Sequence, residues 1–169
     1  VGQVTRAAGP AFEQMLVGAG ASISSMSSSA IYQALQTGVL DAANTSSGSF
    51  VSYRIYEQVK CLTAPGDFAL WFMYEPILMS KKSWDKLNSA QQDALKAAGK
   101  VAEAYMTEKA AGLDTKMVDA YTKAGVEVVE MTAEQAAAWK AIAQETSYKI
   151  FSEKVEGGKE LIAKALAVD

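Results

Sequence analysis

One helical pattern runs from Asn88 to Lys123 without a proline, and it limits the folds open to this chain more than any other feature. Asn88 followed by Gln91 forms a capping box, and Leu95, Ala98, Ala102, Tyr105 and Met106 recur on one face. Gly125 closes the pattern. The spacing predicts a helix over 89–123, which at about 1.5 Å per residue would reach roughly 50 Å if unbroken. That exceeds the diameter of a small domain, so such a helix bridges two bodies.

The 169 residues change texture near position 80. The first part holds all three prolines, a segment rich in serine (Ser22, Ser24, Ser25, Ser27, Ser28, Ser29) and short β-compatible runs between turn signals. It reads as α/β. Strands are expected over 1–7, 22–26, 39–45 and 59–63, with helices from Ala11 to Gly18 or Gly20, from about Ser28 to Gly38, and over 49–58. The apolar run Trp71 to Ser80 reads as a buried strand, interrupted by Glu75-Pro76 and so placed near an edge. After the long helix come a strand over 126–129, a helix capped by Thr132 and Gln135 with Ala136, Trp139, Ile142 and Ala143 inward, and a last helix over 159–167 behind Gly157-Gly158.

Several kinds of chemistry are excluded or disfavoured by composition. Sixteen Lys and Arg against nineteen Asp and Glu give a net charge of -3, so no general cationic field exists for a phosphate backbone, and nucleic acid is not expected as a partner. The chain has no histidine, which removes the Ser-His-Asp and Cys-His nucleophile systems and every His-ligated metal. Cys61 is the single cysteine, cannot form an intrachain disulfide, and is expected as a buried thiol. No phosphate loop, G-x-S-x-G elbow or HExxH is present, and carboxylate pairs such as Glu127 and Glu130 read as solvated surface. No cofactor and no metal are expected. No stretch approaches the roughly 18 to 20 apolar residues of a membrane span. The start, Val1-Gly2-Gln3-Val4-Thr5-Arg6, reads as the middle of something longer.

Three groups of polar or aromatic residues stand out. Arg6 is the only arginine in the first 53 residues and lies on a predicted strand, where its fork suits either a ligand carboxylate or an internal salt bridge. Asp41-Ala42-Ala43-Asn44-Thr45-Ser46-Ser47 ends a strand with an amide and three hydroxyls, which suits a neutral hydrogen-bonding ledge or a cap for the next helix. Phe68, Trp71, Phe72 and Tyr74 cluster beside Pro65-Gly66-Asp67, as core or as the wall of a cleft.

The order of an Arg-bearing strand, a helix, Gly20-Ala21-Ser22, Met26 and then Ser29-Ala30-Ile31-Tyr32-Gln33-Ala34-Leu35-Gln36-Thr37-Gly38-Val39-Leu40-Asp41 resembles the substrate-binding proteins of tripartite ATP-independent periplasmic (TRAP) transporters. Their S-E-x-Y-x-A-L-Q-x-G-x-x-D-G segment is met except at Ala30 and Ala42. Tyr56-Glu57, the run Leu78 to Leu87 and Ala124-Gly125-Val126 fit the same family.

That resemblance implies an α/β, periplasmic-binding-protein-like clamshell of two lobes. This chain would supply mostly the second lobe plus the long bridging helix. The implied division is 1–58 as the cleft-bearing part of the second lobe, 59–87 as the strand return and hinge toward the first, 88–124 as the bridging helix and 125–169 as the C-terminal strand and helices. Family members are about twice as long, so a missing N-terminal lobe or a second copy of the chain would complete the cleft. The resemblance also implies a periplasmic receptor without enzymatic activity, which binds a small organic acid and delivers it to membrane permease subunits. Arg6 takes the place of the carboxylate-gripping arginine. Asn44 and Thr45 fall on a cleft position where members carry either an Asn or a Glu-Trp pair; members with Glu-Trp can bind a metal-bridged substrate, and the neutral Asn-Thr here argues against a metal. Ser28 stands where some members carry an aromatic, and Asp67, Phe68 and Trp71 lie in a loop that often faces the cleft. Two rival readings are a half-receptor that only self-associates, and an enzyme whose turnover would depend on Arg6 or Asp41.

Overall fold

The structure, a computed structural model, describes residues 2–71 and 74–168. Three short strands, β1 (Val4–Arg6), β2 (Ser22–Ile23) and β3 (Ala42–Ala43), form a parallel sheet in the order β2-β1-β3. Thr5 lies opposite Ile23 on one side and Ala42 on the other. Parallel neighbours need crossovers, and here they are α1 (Pro10–Gly18) and α2 (Ile31–Gln36), the latter preceded by a 3₁₀ turn at Ser28–Ala30. Pro10 starts α1 where its missing N–H costs nothing. Gly38 ends α2 at φ +72, a left-handed conformation that lets Val39 N–H reach back to the Ala34 carbonyl at 2.9 Å. Met15, Ile31, Ala34 and Leu40 fill the core around this sheet.

The chain continues through α3 (Ser47–Ser52) and a 3₁₀ turn at Ile55–Glu57 into β4 (Cys61–Ala64), then α4 (Lys81–Trp84), α5 (Ser89–Ala110), α6 (Leu113–Lys123) and β5 (Glu127–Glu130). β4 and β5 pair in parallel, with Cys61 opposite Glu127 and Ala64 opposite Glu130. A second core forms under this pair from Leu62, Met117, Tyr121 and Val126, with Phe50, Tyr56 and Val59 against it. Tyr121 is its centre: Phe50 and Tyr56 meet its ring edge-on at 6.0 and 5.7 Å, and burial, then the neighbouring Tyr56, push its phenol well above the ordinary tyrosine range.

Four expectations are corrected. The helix over 89–123 is two helices, because the chain breaks at Ala111-Gly112 and re-aims α6 so that Met117 and Tyr121 enter the core, whereas α5 buries no residue. The helix over 49–58 breaks where Arg54 takes a left-handed φ of 54°, which turns Ile55 inward. The run 74–80 is not a strand: Tyr74, Ile77 and Leu78 are 87, 84 and 83% exposed, no strand pairs with them among the described residues, and Pro76 lacks a donor. Phe72 and Met73 lie outside the described residues. Cys61 is exposed, since alternation along β4 sends Leu62 and Ala64 inward and Cys61 outward.

Both capping boxes form, Asn88 with Gln91 and Thr132 with Gln135. The second opens α7 (Ala133–Ala143), which passes through a π turn (Gln144–Tyr148) into α8 (Lys149–Lys154), with α9 (Gly158–Leu166) last. The π turn frees carbonyls, and Thr146 Oγ1 donates to Ile142 O at 2.6 Å while Ser147 Oγ donates to Ala143 O at 3.3 Å. α1 packs against this turn at Gly18, where a Cβ would lie 2.7 Å from Thr146 Cγ2 and 3.2 Å from Ile142 Cγ2. Gly18→Ala is therefore expected to lower stability by about 1–3 kcal/mol in urea unfolding. Adding Thr146→Ser, which removes the nearer methyl and keeps the hydroxyl, should recover part of that loss.

Candidate functional site

The carboxyl ends of parallel strands leave their outgoing loops free to surround a ligand, and Arg6 stands at that end of the central strand. The loops are tied to β1 through the main chain. Ser24 N–H donates to Thr5 O at 3.1 Å, Asp41 N–H to Val4 O at 2.8 Å and Asn44 N–H to Arg6 O at 2.8 Å. Asp41 adds a side-chain clamp, its Oδ2 accepting from Val4 N–H at 2.8 Å.

Within this frame the Arg6 side chain is pinned from both sides. Nε donates to Met26 O in the loop after β2 at 3.0 Å, and Nη1 donates to Asn44 O in the loop after β3 at 2.7 Å. Nη2 has no acceptor and the guanidinium makes no ion pair among the described residues. The residue is only 8% exposed, and burial lowers its pKa from the ordinary arginine value, although arginine stays protonated. Among the described residues Arg6 makes no internal salt bridge. A buried cation without a counter-ion carries a desolvation penalty that hydrogen bonds to two carbonyls offset in part.

The loop after β3 divides its polar groups between the cap and the site. Ser46 Oγ accepts from Ser49 N–H at 3.3 Å and donates to Ser49 Oγ at 3.0 Å, while Ser47 Oγ donates to Asp114. These hydroxyls hold α3, so the ledge is reduced to Asn44 and Thr45. Thr45 is buried. Asn44 Oδ1 is sealed from solvent and unpaired, a condition that costs roughly 1–3 kcal/mol.

Beside these residues lies an open groove of about 1820 Å³ whose wall includes Thr5, Phe12, Asn44, Thr45, Phe68 and Trp71. Phe12 meets Trp71 edge-on at 5.3 Å, which joins the loop after β4 to the first turn of α1. Arg6 sits at the carboxyl end of the central strand and does not line the groove, though its neighbours Thr5 and Asn44 do. Ser28 is half-buried two residues past Met26, makes no bond to Arg6 and is off the groove. Asp67 is exposed in the Pro65–Phe68 turn and also off the groove. Among the described residues no cluster of three or more His, Cys, Asp or Glu could hold a metal ion, and no helix is long and apolar enough to cross a membrane.

Sequence reasoning missed three participants. Phe12 was legible as the second residue after a helix-starting proline, and Thr5 by its adjacency to Arg6 on the strand. The Met26 carbonyl carries no sequence signal, because any residue would supply it. Asn44→Leu removes the unpaired oxygen and leaves its main-chain bond with Arg6, so the unfolding midpoint is expected to hold or rise.

The geometry can be set against known proteins. The family profile DctP, described as bacterial extracellular solute-binding protein, family 7, matches residues 4–154. A solute-binding protein of Albidiferax ferrireducens is 41% identical over 153 residues, which span 90% of this chain and 45% of that protein. The C4-dicarboxylate-binding periplasmic protein DctP of Rhodobacter capsulatus is 30% identical over 118 residues, spanning 69% of this chain and 34% of that one. A crystal structure of a TRAP periplasmic solute binding protein from Rhodoferax ferrireducens with bound malonate superposes with a TM-score of 0.89 at 36% identity, covering 99% of this chain and 55% of that one. The chain therefore spans about half the length of these relatives or less, and it belongs to the DctP family of TRAP solute-binding proteins.

Proposed function

We propose that this chain is the ligand-gripping part of a periplasmic solute receptor that captures a small organic acid, without reaction, and hands it to the permease subunits of a TRAP transporter. The observation that carries the reading is Arg6, a buried cation fixed by two main-chain carbonyls with Nη2 unclaimed and no counter-ion among the described residues. A carboxylate is the ligand group that completes such a fork. The relatives give the class its support: one is named for C4-dicarboxylates and another holds malonate. Asn44 and Thr45, with Phe12, Phe68 and Trp71 along the groove, suit an acid whose remainder is uncharged. Differential affinity for the closed form drives closure.

In this reading residues 1–58 carry the cleft, 59–87 form the hinge, 88–124 span the lobes and 125–169 brace the back. A first lobe, absent from this chain, covers α5 and the apolar run at Tyr74, Ile77 and Leu78. The exposure of that run also favours a second reading, in which two copies cover it for one another. Native mass spectrometry separates them, since a concentration-dependent dimer of the 18.0 kDa chain that ignores organic acids supports only the second.

Arg6→Lys keeps the charge and loses the planar fork, and is expected to weaken acid binding about tenfold or more by calorimetry. Arg6→Ala should lose over about a hundredfold and also some stability, because two carbonyls lose their donor. An unchanged affinity in both variants refutes the site. With no histidine in the chain, affinity should stay level from about pH 6 to 9. It should fall below about pH 5, as protonation of the ligand carboxylate removes the charge that Arg6 meets.

A further inference from the structure

The two carbonyls that hold Arg6 are not themselves held alike. Asn44 O belongs to a loop fixed at several points: Asn44 N–H donates to Arg6 O at 2.8 Å, Ser46 caps α3, and Ser47 Oγ donates to Asp114. Met26 O, which accepts from Arg6 Nε at 3.0 Å, has no such support from the main chain. After Ser24 N–H, which donates to Thr5 O, the main chain of residues 25–27 makes no bond back to the sheet or to α1 among the described residues. The next main-chain bond, from Ala30 N–H to Ser27 O, lies inside the following 3₁₀ turn.

One side chain closes that gap. Ser25 Oγ donates to Glu13 Oε1 at 2.5 Å, a charge-assisted bond between the residue directly before Met26 and the first turn of α1. Glu13 is a firm post. Its N–H joins the helical ladder by donating to Gly9 O at 3.0 Å, and two residues further on Met15 seals α1 into the core. The Glu13 carboxylate makes no ion pair among the described residues, so it fixes the loop without neutralising Arg6. The ordinary role of an acid in a first helical turn is to favour the helix dipole, and that role needs the charge but not Ser25.

A group that grips a ligand is only as well aimed as the groups behind it. Resting on the receptor reading above, we infer that Glu13 is a positioning residue of the carboxylate site: through Ser25 it fixes the Met26 carbonyl, and through that carbonyl the orientation of the Arg6 guanidinium whose Nη2 is left for the ligand.

The test uses the protein expressed from its complete reading frame, in the variants Glu13→Ala, Glu13→Gln and Ser25→Ala. Glutamine keeps an accepting oxygen and drops the charge, while Ser25→Ala removes the donor and leaves α1 untouched. The first readout needs no ligand: solvent exchange of the Arg6 Nε–H by heteronuclear NMR, identified as the signal that Arg6→Lys removes. Exchange is expected to speed up about fivefold or more in Glu13→Ala and Ser25→Ala, and to stay within about twofold of the parent protein in Glu13→Gln. The second readout is calorimetric titration with malonate, succinate, glucuronate and phenylacetate. An acid that binds the parent should bind Glu13→Ala and Ser25→Ala about three- to tenfold more weakly, and Glu13→Gln within about twofold. Unchanged Nε–H exchange in Glu13→Ala and Ser25→Ala overturns the inference, even where their unfolding midpoints fall, because the pair is then a fastening of the fold alone. A Glu13→Gln variant that behaves like Glu13→Ala shows that the charge at the helix start acts, and overturns it too. Faster exchange with unchanged affinity breaks the link from Arg6 orientation to the ligand and overturns the positioning role. If no acid of the panel binds the parent, the receptor reading falls, and the exchange readout alone then decides whether Glu13 orients Arg6.

Discussion

A single buried cation organises the upper end of this molecule. The Arg6 guanidinium crosses the outgoing loops of β2 and β3 and ties both to the central strand, through Met26 O on one side and Asn44 O on the other. Such an arrangement is stable only if the desolvated charge is compensated, and the protein supplies main-chain dipoles in place of a carboxylate. The hydrogen bonds that shape the loops leave Nη2 without an acceptor among the described residues.

The remainder of the structure serves that frame. Asp41 fixes the register of β1 against β3 by taking the Val4 N–H, and Ser46 starts α3 directly after the loop, so the Asn44-Thr45 pair is held between a strand end and a helix cap. On the far side, α1 follows β1, packs against the π turn at Gly18 and carries Phe12, whose ring meets Trp71. The second sheet, β4 with β5, has its own core around Tyr121 and is joined to the first by chain and by α3.

Much of this was legible from residue types. The capping boxes at Asn88 and Thr132, the start of α1 at Pro10, the end of α2 at Gly38 and the inward face of α7 all follow from local physics that acts within four or five residues. The misread elements share a different cause. Trp71 to Ser80 has the composition of a buried strand, but a strand exists only where another pairs with it, and for residues 74–80 none does among the described residues. Cys61 follows the same logic, since its side of β4 is not covered. The break at Gly112 was hidden because helical spacing continues through it, and only the pull of Met117 and Tyr121 toward the core decides it. At the site, the sequence offered Arg6 and Asn44 as candidates without showing that they touch.

By itself the sequence determined the caps that start α5 and α7, the Pro10 and Gly38 signals that bound α1 and α2, that histidine chemistry is absent, and, through the Tyr32 to Asp41 segment, the family to which the chain belongs. These properties are set by residue type and short-range spacing. Only the tertiary structure decided that Arg6 has no counter-ion among the described residues, that the serine hydroxyls after β3 cap a helix and leave Asn44 and Thr45 for the groove, and that Asn44 turns an unpaired oxygen inward. Whether a polar group is satisfied depends on which main-chain atoms arrive beside it from distant positions, and a carbonyl oxygen leaves no mark in the residue that carries it.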